Sequence, residues 1–231
     1  MSGFREIWRR AAEGLGRLLR ETVYPEGAVC AGCGKTSRGG YLCPACREEL
    51  MHSEVLASWE SRELAGVTAW SMRPHRGLAR ELVLRLKHGT EAGAAEALAG
   101  MLRERPDWFP DYPPDTVVTW VPAPKSRIRE RCIDHGQALA CAVARELGLS
   151  CRPLLRRVGN DRPQARLSME RRQQNLRKAF EPAGRAARSV LLVDDVLTTG
   201  TTAKRCIAAL RRGGAEEIGV LTATWAAGRR I

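Results

Sequence analysis

No stretch of about 18 or more apolar residues occurs in this 231-residue chain, so the sequence offers no helix able to span a bilayer. The first residues also lack the apolar core of a secretory signal, which predicts a cytoplasmic protein. A GxxxxGK[ST] phosphate loop is missing, and so is the GxGxxG turn of dinucleotide-binding folds. Both absences argue against an ATPase or a nicotinamide enzyme. No internal repeat or low-complexity tract stands out. Acids are scarce relative to bases, 26 against 38 Lys and Arg, giving a formal net charge of +12.

What is present fits a globular protein. Hydrophobic residues make up 44% and charged residues 28% of the chain, which is enough for one sizeable core and a small appended module. Nine of the twelve excess positive charges fall between Trp120 and Phe180, where fourteen Lys and Arg face five acids. A field of that sign attracts phosphate, on a small nucleotide or along a nucleic acid. Eight cysteines without a secretory signal point to free thiols and metal sites before disulfides.

The amino-terminal stretch, residues 1–24, places Phe4, Ile7, Trp8, Ala11, Leu15, Leu18 and Leu19 at helical spacing, with arginines on the other faces. It predicts an amphipathic helix that packs on the body or meets a surface or partner. Residues 25–60 then carry Cys30-x2-Cys33-x9-Cys43-x2-Cys46. Each CxxC forms a tight knuckle, Gly34 lets backbone amides turn toward sulfur, and four thiolates close a tetrahedral site with no open position for substrate. The spacing predicts structural Zn2+ on Cys30, Cys33, Cys43 and Cys46, followed by a polar helix around residues 47–51.

Residues 61–231 alternate strands and helices. Strands are expected at residues 67–72, at Val117, Val118, Trp120 and Val121, near Leu154 and Leu155, and at residues 218–222. Helices are expected over residues 75–87, 92–105, 137–147 and 201–212, the first with Arg76, Arg80, Arg85 and Lys87 on its polar face. Such alternation argues for an α/β fold, a Rossmann-like parallel sheet flanked by helices. Residues 156–180, rich in Arg, Gln and Asn, read as a hood.

The most informative segment is residues 190–202. Val190, Leu191, Leu192 and Val193 suit a strand buried on both faces. Asp194 and Asp195 mark its carboxyl end, and Val196 and Leu197 lead into Thr198, Thr199, Gly200, Thr201 and Thr202. Two carboxylates can accept from a ribose diol while small residues let loop amides converge on its 5-phosphate at a helix start. Asp194 and Asp195 are therefore the expected ligand-binding pair. A plain core strand followed by a capped helix is the alternative.

This segment resembles the phosphoribosyl diphosphate (PRPP) motif of type I phosphoribosyltransferases. A second loop, Val121-Pro122-Ala123-Pro124-Lys125-Ser126-Arg127, stands at another strand end, where Pro122, Lys125 and Arg127 would meet a departing diphosphate. Together with the finger, the Gln164-x-x-Leu167 pattern, Arg171, Arg172 and Asn175 before Phe180, the chain resembles the ComF family of competence-associated proteins. The resemblance implies a type I phosphoribosyltransferase fold with a four-cysteine finger, PRPP binding with Mg2+ and phosphoribosyl transfer to an unnamed acceptor. It further implies a link to DNA uptake, with single-stranded DNA and competence-machinery proteins as partners. A non-catalytic PRPP sensor or DNA-binding adaptor on the same scaffold is the other reading.

Where the family often has Arg-Gly followed by an aromatic residue, this chain reads Arg131-Cys132-Ile133-Asp134-His135, so a glycine is missing after the second loop. His135, beside Asp134 after the basic loop, reads as a surface histidine, with a role in proton transfer as the alternative. Cys132, Cys141, Cys151 and Cys206 lack paired spacing and read as small, partly buried residues. A built-in glutaminase half is unexpected, since Met1-Ser2 presents no amino-terminal cysteine nucleophile.

Overall fold

The computed structural model describes residues 29–37, 40–52, 59–88, 93–105, 107, 109–124, 126, 128, 134–158 and 179–226. The expected amino-terminal helix, most of the hood, Lys125, Arg127 and residues 131–133 lie outside these. In chain order the elements are α1 (Pro44–His52), β1 (Glu60–Glu63), β2 (Thr68–Pro74), α2 (Gly77–His88) and α3 (Ala94–Ala99), which continues into a 3-10 turn at Gly100–Glu104. Then come β3 (Val117–Trp120), α4 (His135–Leu147), β4 (Ser150–Cys151), β5 (Leu155–Arg157), β6 (Phe180–Pro182), β7 (Ser189–Leu197), α5 (Thr201–Arg212) and β8 (Glu217–Trp225).

Six strands form one sheet in the order β1-β2-β8-β7-β3-β4, antiparallel only between β1 and β2. The apolar run of β7 suits its central place: Val190, Leu191 and Leu192 are fully buried, with helices covering both faces. Leu191 and Val193 face one core with α2, α3 and α4, while Val190 and Leu192 face another with α5. Helix α5 buries Ala203, Cys206, Ile207 and Leu210, the i, i+3, i+4, i+7 stripe expected of a surface helix. Each large aliphatic side chain so buried contributes about 1.5–3 kcal/mol.

Strands β1, β4 and β6 lack a sequence pattern strong enough to announce them. Strand β1 reads Glu-Ser-Arg-Glu and exists because a tight hairpin returns the chain onto β2. Leu64 and Val67 exchange backbone hydrogen bonds of 2.8 and 3.2 Å across Ala65 and Gly66, both at positive φ (56° and 71°). Strand β4 has only two residues. Strands β5 and β6 form a separate antiparallel pair, matching Arg157 with Phe180, so the hood segment starts and finishes on one ribbon.

The connection β3-α4-β4 runs outward to one edge, whereas β7-α5-β8 runs the opposite way. The connections leaving the neighbouring parallel strands β3 and β7 thus diverge at the strands' carboxyl ends, forming the crevice where open α/β sheets bind ligands. Asp134 begins α4 by accepting from the backbone N–H groups of Gly136 and Gln137, and Gly148 at φ 68° ends it.

The cysteine region packs against this body. Cys30, Ala31, Cys46, Leu50 and Met51 share the hydrophobic cluster of α2, α3 and α4. Arg85 on α2 donates to the Ala31 carbonyl at 3.0 Å, and Arg73 on β2 donates to that of Leu50 at 3.2 Å. Among the described residues, no helix is long and apolar enough to cross a membrane.

Candidate functional site

The crevice is bounded by the two loops singled out in the sequence. Trp120 pairs with Val193, and the N–H of Val121 still donates to the Val193 carbonyl at 3.3 Å, so Pro122, Ala123 and Pro124 depart directly beside Asp194. Val196 and Leu197 continue along β8, in register with Thr224 and Trp225. Thr198, Thr199, Thr201 and Thr202 are exposed, while Gly200 is buried between them.

Gly200 is needed for two reasons. Its φ of 70° is left-handed, and a Cβ there would lie 2.7 Å from the Leu64 side chain carried by the β1-β2 hairpin. It is also the N-cap of α5 without a side chain to cap the helix, so the first-turn N–H groups face outward. Thr199 and Thr201 hydroxyls lie 2.9 Å apart across this turn, and the Thr201 N–H reaches the Thr199 hydroxyl at 3.4 Å.

The two acids do different things. Asp195 is held on three sides: Lys87 Nζ lies 3.1 Å and His135 Nε2 3.6 Å from its carboxylate, and Thr224 Oγ1 donates to its carbonyl at 3.1 Å. Asp194, on the opposite side of the strand, carries its carboxyl in a desolvated position. Its Oδ1 accepts from the Asp195 N–H at 3.0 Å. Desolvation, with the charge of Asp195 beside it, pushes its carboxyl up to about 7. One acid is therefore a fixed ion-pair partner, and the other can exchange a proton near neutrality.

Sequence reasoning missed this ring. Lys87 falls on the polar face of α2 and reads as solvated, yet it reaches across to β7. His135 is a correction: its side chain is 16% exposed and faces Asp195, because Asp134 caps α4 and also accepts from Trp120 Nε1 at 3.1 Å. His75 follows β2 and precedes α2, which begins two residues later than expected. Its Nδ1 meets Thr224 Oγ1 at 2.9 Å, and burial, then the positive charges of Lys87 and Arg80, hold its pKa below the usual value. The only signal for these contacts was the placement of histidines at strand and helix ends.

At the finger, the Sγ atoms of Cys30, Cys33, Cys43 and Cys46 all lie within 4.8 Å of one another, against about 3.8 Å between thiolates of a tetrahedral zinc site. Gly34 adopts φ 73°, and the Cys43 N–H donates to Cys30 Sγ at 3.2 Å. Although burial raises it, backbone N–H groups of Cys43, Cys33 and Gly32 bring the Cys30 thiol down to about 6. The donor set fits a structural zinc. Cys46 lies inside α1, so the helix starts before the fourth cysteine, not after it.

Residues 134–230 match the family model of the phosphoribosyl transferase domain. This part of the chain, from the cap of α4 through the acid pair and the threonine loop, is phosphoribosyltransferase-like. No curated protein matches the chain. Among solved structures, it is similar to glutamine PRPP amidotransferase from B. subtilis, at 20% identity over 65% of this chain and 29% of that one, TM-score 0.38. It is likewise similar to purine phosphoribosyltransferase from Pyrococcus horikoshii, at 19% identity over 64% and 87% of the two chains, TM-score 0.30. A third is orotate phosphoribosyltransferase of Mycobacterium tuberculosis, at 18% over 77% and 82%, TM-score 0.35. The chain spans under a third of the amidotransferase's length, and of the allosteric regulatory enzyme of purine biosynthesis it covers 30%. These overlaps are too slight to speak for function.

Proposed function

We propose that this chain is a ComF-like protein that binds PRPP, or a related ribose 5-phosphate ligand, in the crevice between β3 and β7. The observation that supports this best is the threonine loop around left-handed Gly200, open at a helix start and set beside Asp194 at the sheet's switch point. In this reading residues 198–202 take the 5-phosphate, Asp194 the ribose diol, and Pro122 with Lys125 and Arg127 the diphosphate. Val196 and Leu197 carry the backbone between acids and loop, and Asp195 holds the pocket's shape through Lys87 and His135. Mg2+ prefers oxygen donors and keeps several waters, so the Asp194 carboxylate beside a diphosphate is a suitable partner for it.

The reaction such a pocket supports is displacement of diphosphate from the anomeric carbon by an acceptor, with Mg2+ and fixed cations neutralising the leaving group. We retain residues 1–24, 25–60 and 61–231 as its functional divisions, with Zn2+ structural in the second. Calorimetric titration with PRPP and Mg2+ tests the assignment. Asp194→Asn combined with Asp195→Asn is expected to abolish the heat of binding with zinc content unchanged. Wild-type protein that gives no heat at millimolar PRPP contradicts it.

A second reading, a DNA-binding adaptor of the competence machinery, draws on the excess of fourteen bases over five acids between Trp120 and Phe180. If those cations meet phosphates, single-stranded DNA binding falls steeply with salt. Binding indifferent to salt contradicts this second reading alone.

A further inference from the structure

Cys141 and Cys151 lack CxxC spacing, and the sequence reads them as small, partly buried residues. The fold brings them together. Cys141 lies in α4 and Cys151 in the edge strand β4, joined by a corner at left-handed Gly148, where the Leu149 N–H donates to the Ala144 carbonyl at 2.8 Å. Their Sγ atoms are 2.6 Å apart, far closer than the 3.7 Å between Cys33 and Cys43 in the finger. Two sulfurs at that separation lie well within non-bonded contact and approach the ~2.05 Å of a disulfide bond. Both residues keep part of their surface exposed, unlike Cys206, which is fully buried in α5.

We propose that Cys141 and Cys151 are a covalent modification site, a dithiol that closes to a disulfide by exchange with low-molecular-weight disulfides. The roles of the two sulfurs differ. A hydrogen bond from the Cys151 thiol, helped by the charge of Arg145 one turn along α4, outweighs burial and brings Cys141 down to about 7. The same hydrogen bond and burial push Cys151 up. Cys141 is the attacking thiolate: its sulfur bonds to one sulfur of the small disulfide, whose S–S bond breaks and releases one thiolate. Cys151 then yields its proton to solvent and attacks the Cys141 sulfur, expelling the second thiolate. The protein dithiol loses two electrons, and the small disulfide becomes two thiols.

The consequence for the fold is local. Strand β4 is held to β3 by only two residue pairs, Val117 with Ser150 and Val118 with Cys151, so a bond from Cys151 to α4 would fasten the sheet's edge to the helix whose other end carries His135. The site is independent of the PRPP reading, since neither cysteine lines the crevice.

The test uses the full, zinc-loaded chain incubated with oxidised glutathione, quenched with an alkylating agent and digested with trypsin. The chain cuts so that Cys141 falls in peptide 132–145 and Cys151 in peptide 146–156. The expected result is a dithiothreitol-reversible link between these peptides, assigned by fragmentation to Cys141, with two alkylatable thiols lost and zinc retained. Cys151→Ser should trap a glutathione adduct on Cys141, and Cys141→Ser should abolish the link between the two peptides. Both thiols remaining fully alkylatable overturns the proposal, as does a link made instead to Cys132 or to a finger cysteine.

Discussion

The cysteine finger and the β3-β7 crevice both gather polar groups at chain corners, but they gather them from different distances. All four finger sulfurs come from residues 30–46, and local knuckles set their geometry. The crevice draws Lys87 from α2, His75 from beyond β2, His135 from α4 and Asp194 and Asp195 from β7; His75 and its partner Thr224 are 149 residues apart. The finger's chemistry therefore follows from spacing, whereas the charge state of the crevice depends on the completed sheet. Adjacent acids in sequence become opposites in space, one held by Lys87 and His135 and one desolvated on the other side of the strand.

Stripping the metal separates the two regions most sharply. Structural zinc contributes on the order of 10 kcal/mol to such modules, so chelation should unfold residues 30–46. Because Ala31 and Leu50 share a core with α2, thermal melting of the body should also shift downward. Metal analysis should find one zinc per chain in reduced protein, and a body melt unchanged by chelation would show that the regions are energetically separate.

Next in size is Gly200→Ala, which combines a left-handed φ with a Cβ pressed on Leu64 and should cost about 1–3 kcal/mol in chemical denaturation, with weaker PRPP binding. Zinc content should not change. Lys87→Met removes the closest cation from Asp195. With Lys87 about one-third exposed, a loss of about 1–2 kcal/mol is expected, partly rescued by Lys87→Arg. A fully stable Lys87→Met protein would refute the view that Asp195 is held by this pair.

A pH slope tests the difference between the two acids. Folding raises the Asp194 carboxyl from 3.8 to about 7, so between those values the folded state binds more protons than the unfolded one. Stability contributed at acid pH is then lost as pH rises from about 4 to about 7. Denaturant midpoints across that window should fall for wild type and flatten for Asp194→Asn; parallel slopes would assign the titration elsewhere.

Much of the fold is legible in the order of the amino acids. The apolar run of residues 190–193 and the stripe of α5 specify a central strand and its helix, since each is consistent with its period over its whole length. Strand β1 is not legible, because Glu-Ser-Arg-Glu has no apolar face and pairs only through the turn at Ala65 and Gly66. In the site, Asp194, Asp195 and the threonine loop are readable as a motif. The role of Lys87 is hidden, because a lysine on a helix's polar face looks solvated until a strand end is placed next to it. Cys141 and Cys151 are hidden for the same reason.

The most direct test is a crystal structure of the zinc-loaded chain with PRPP and Mg2+. The 5-phosphate is expected on the backbone of residues 198–202, the ribose hydroxyls against Asp194, and the diphosphate beside Pro122. Asp195 should remain paired with Lys87. PRPP bound elsewhere on the protein, or a 5-phosphate placed away from the Gly200 turn, would contradict the assignment.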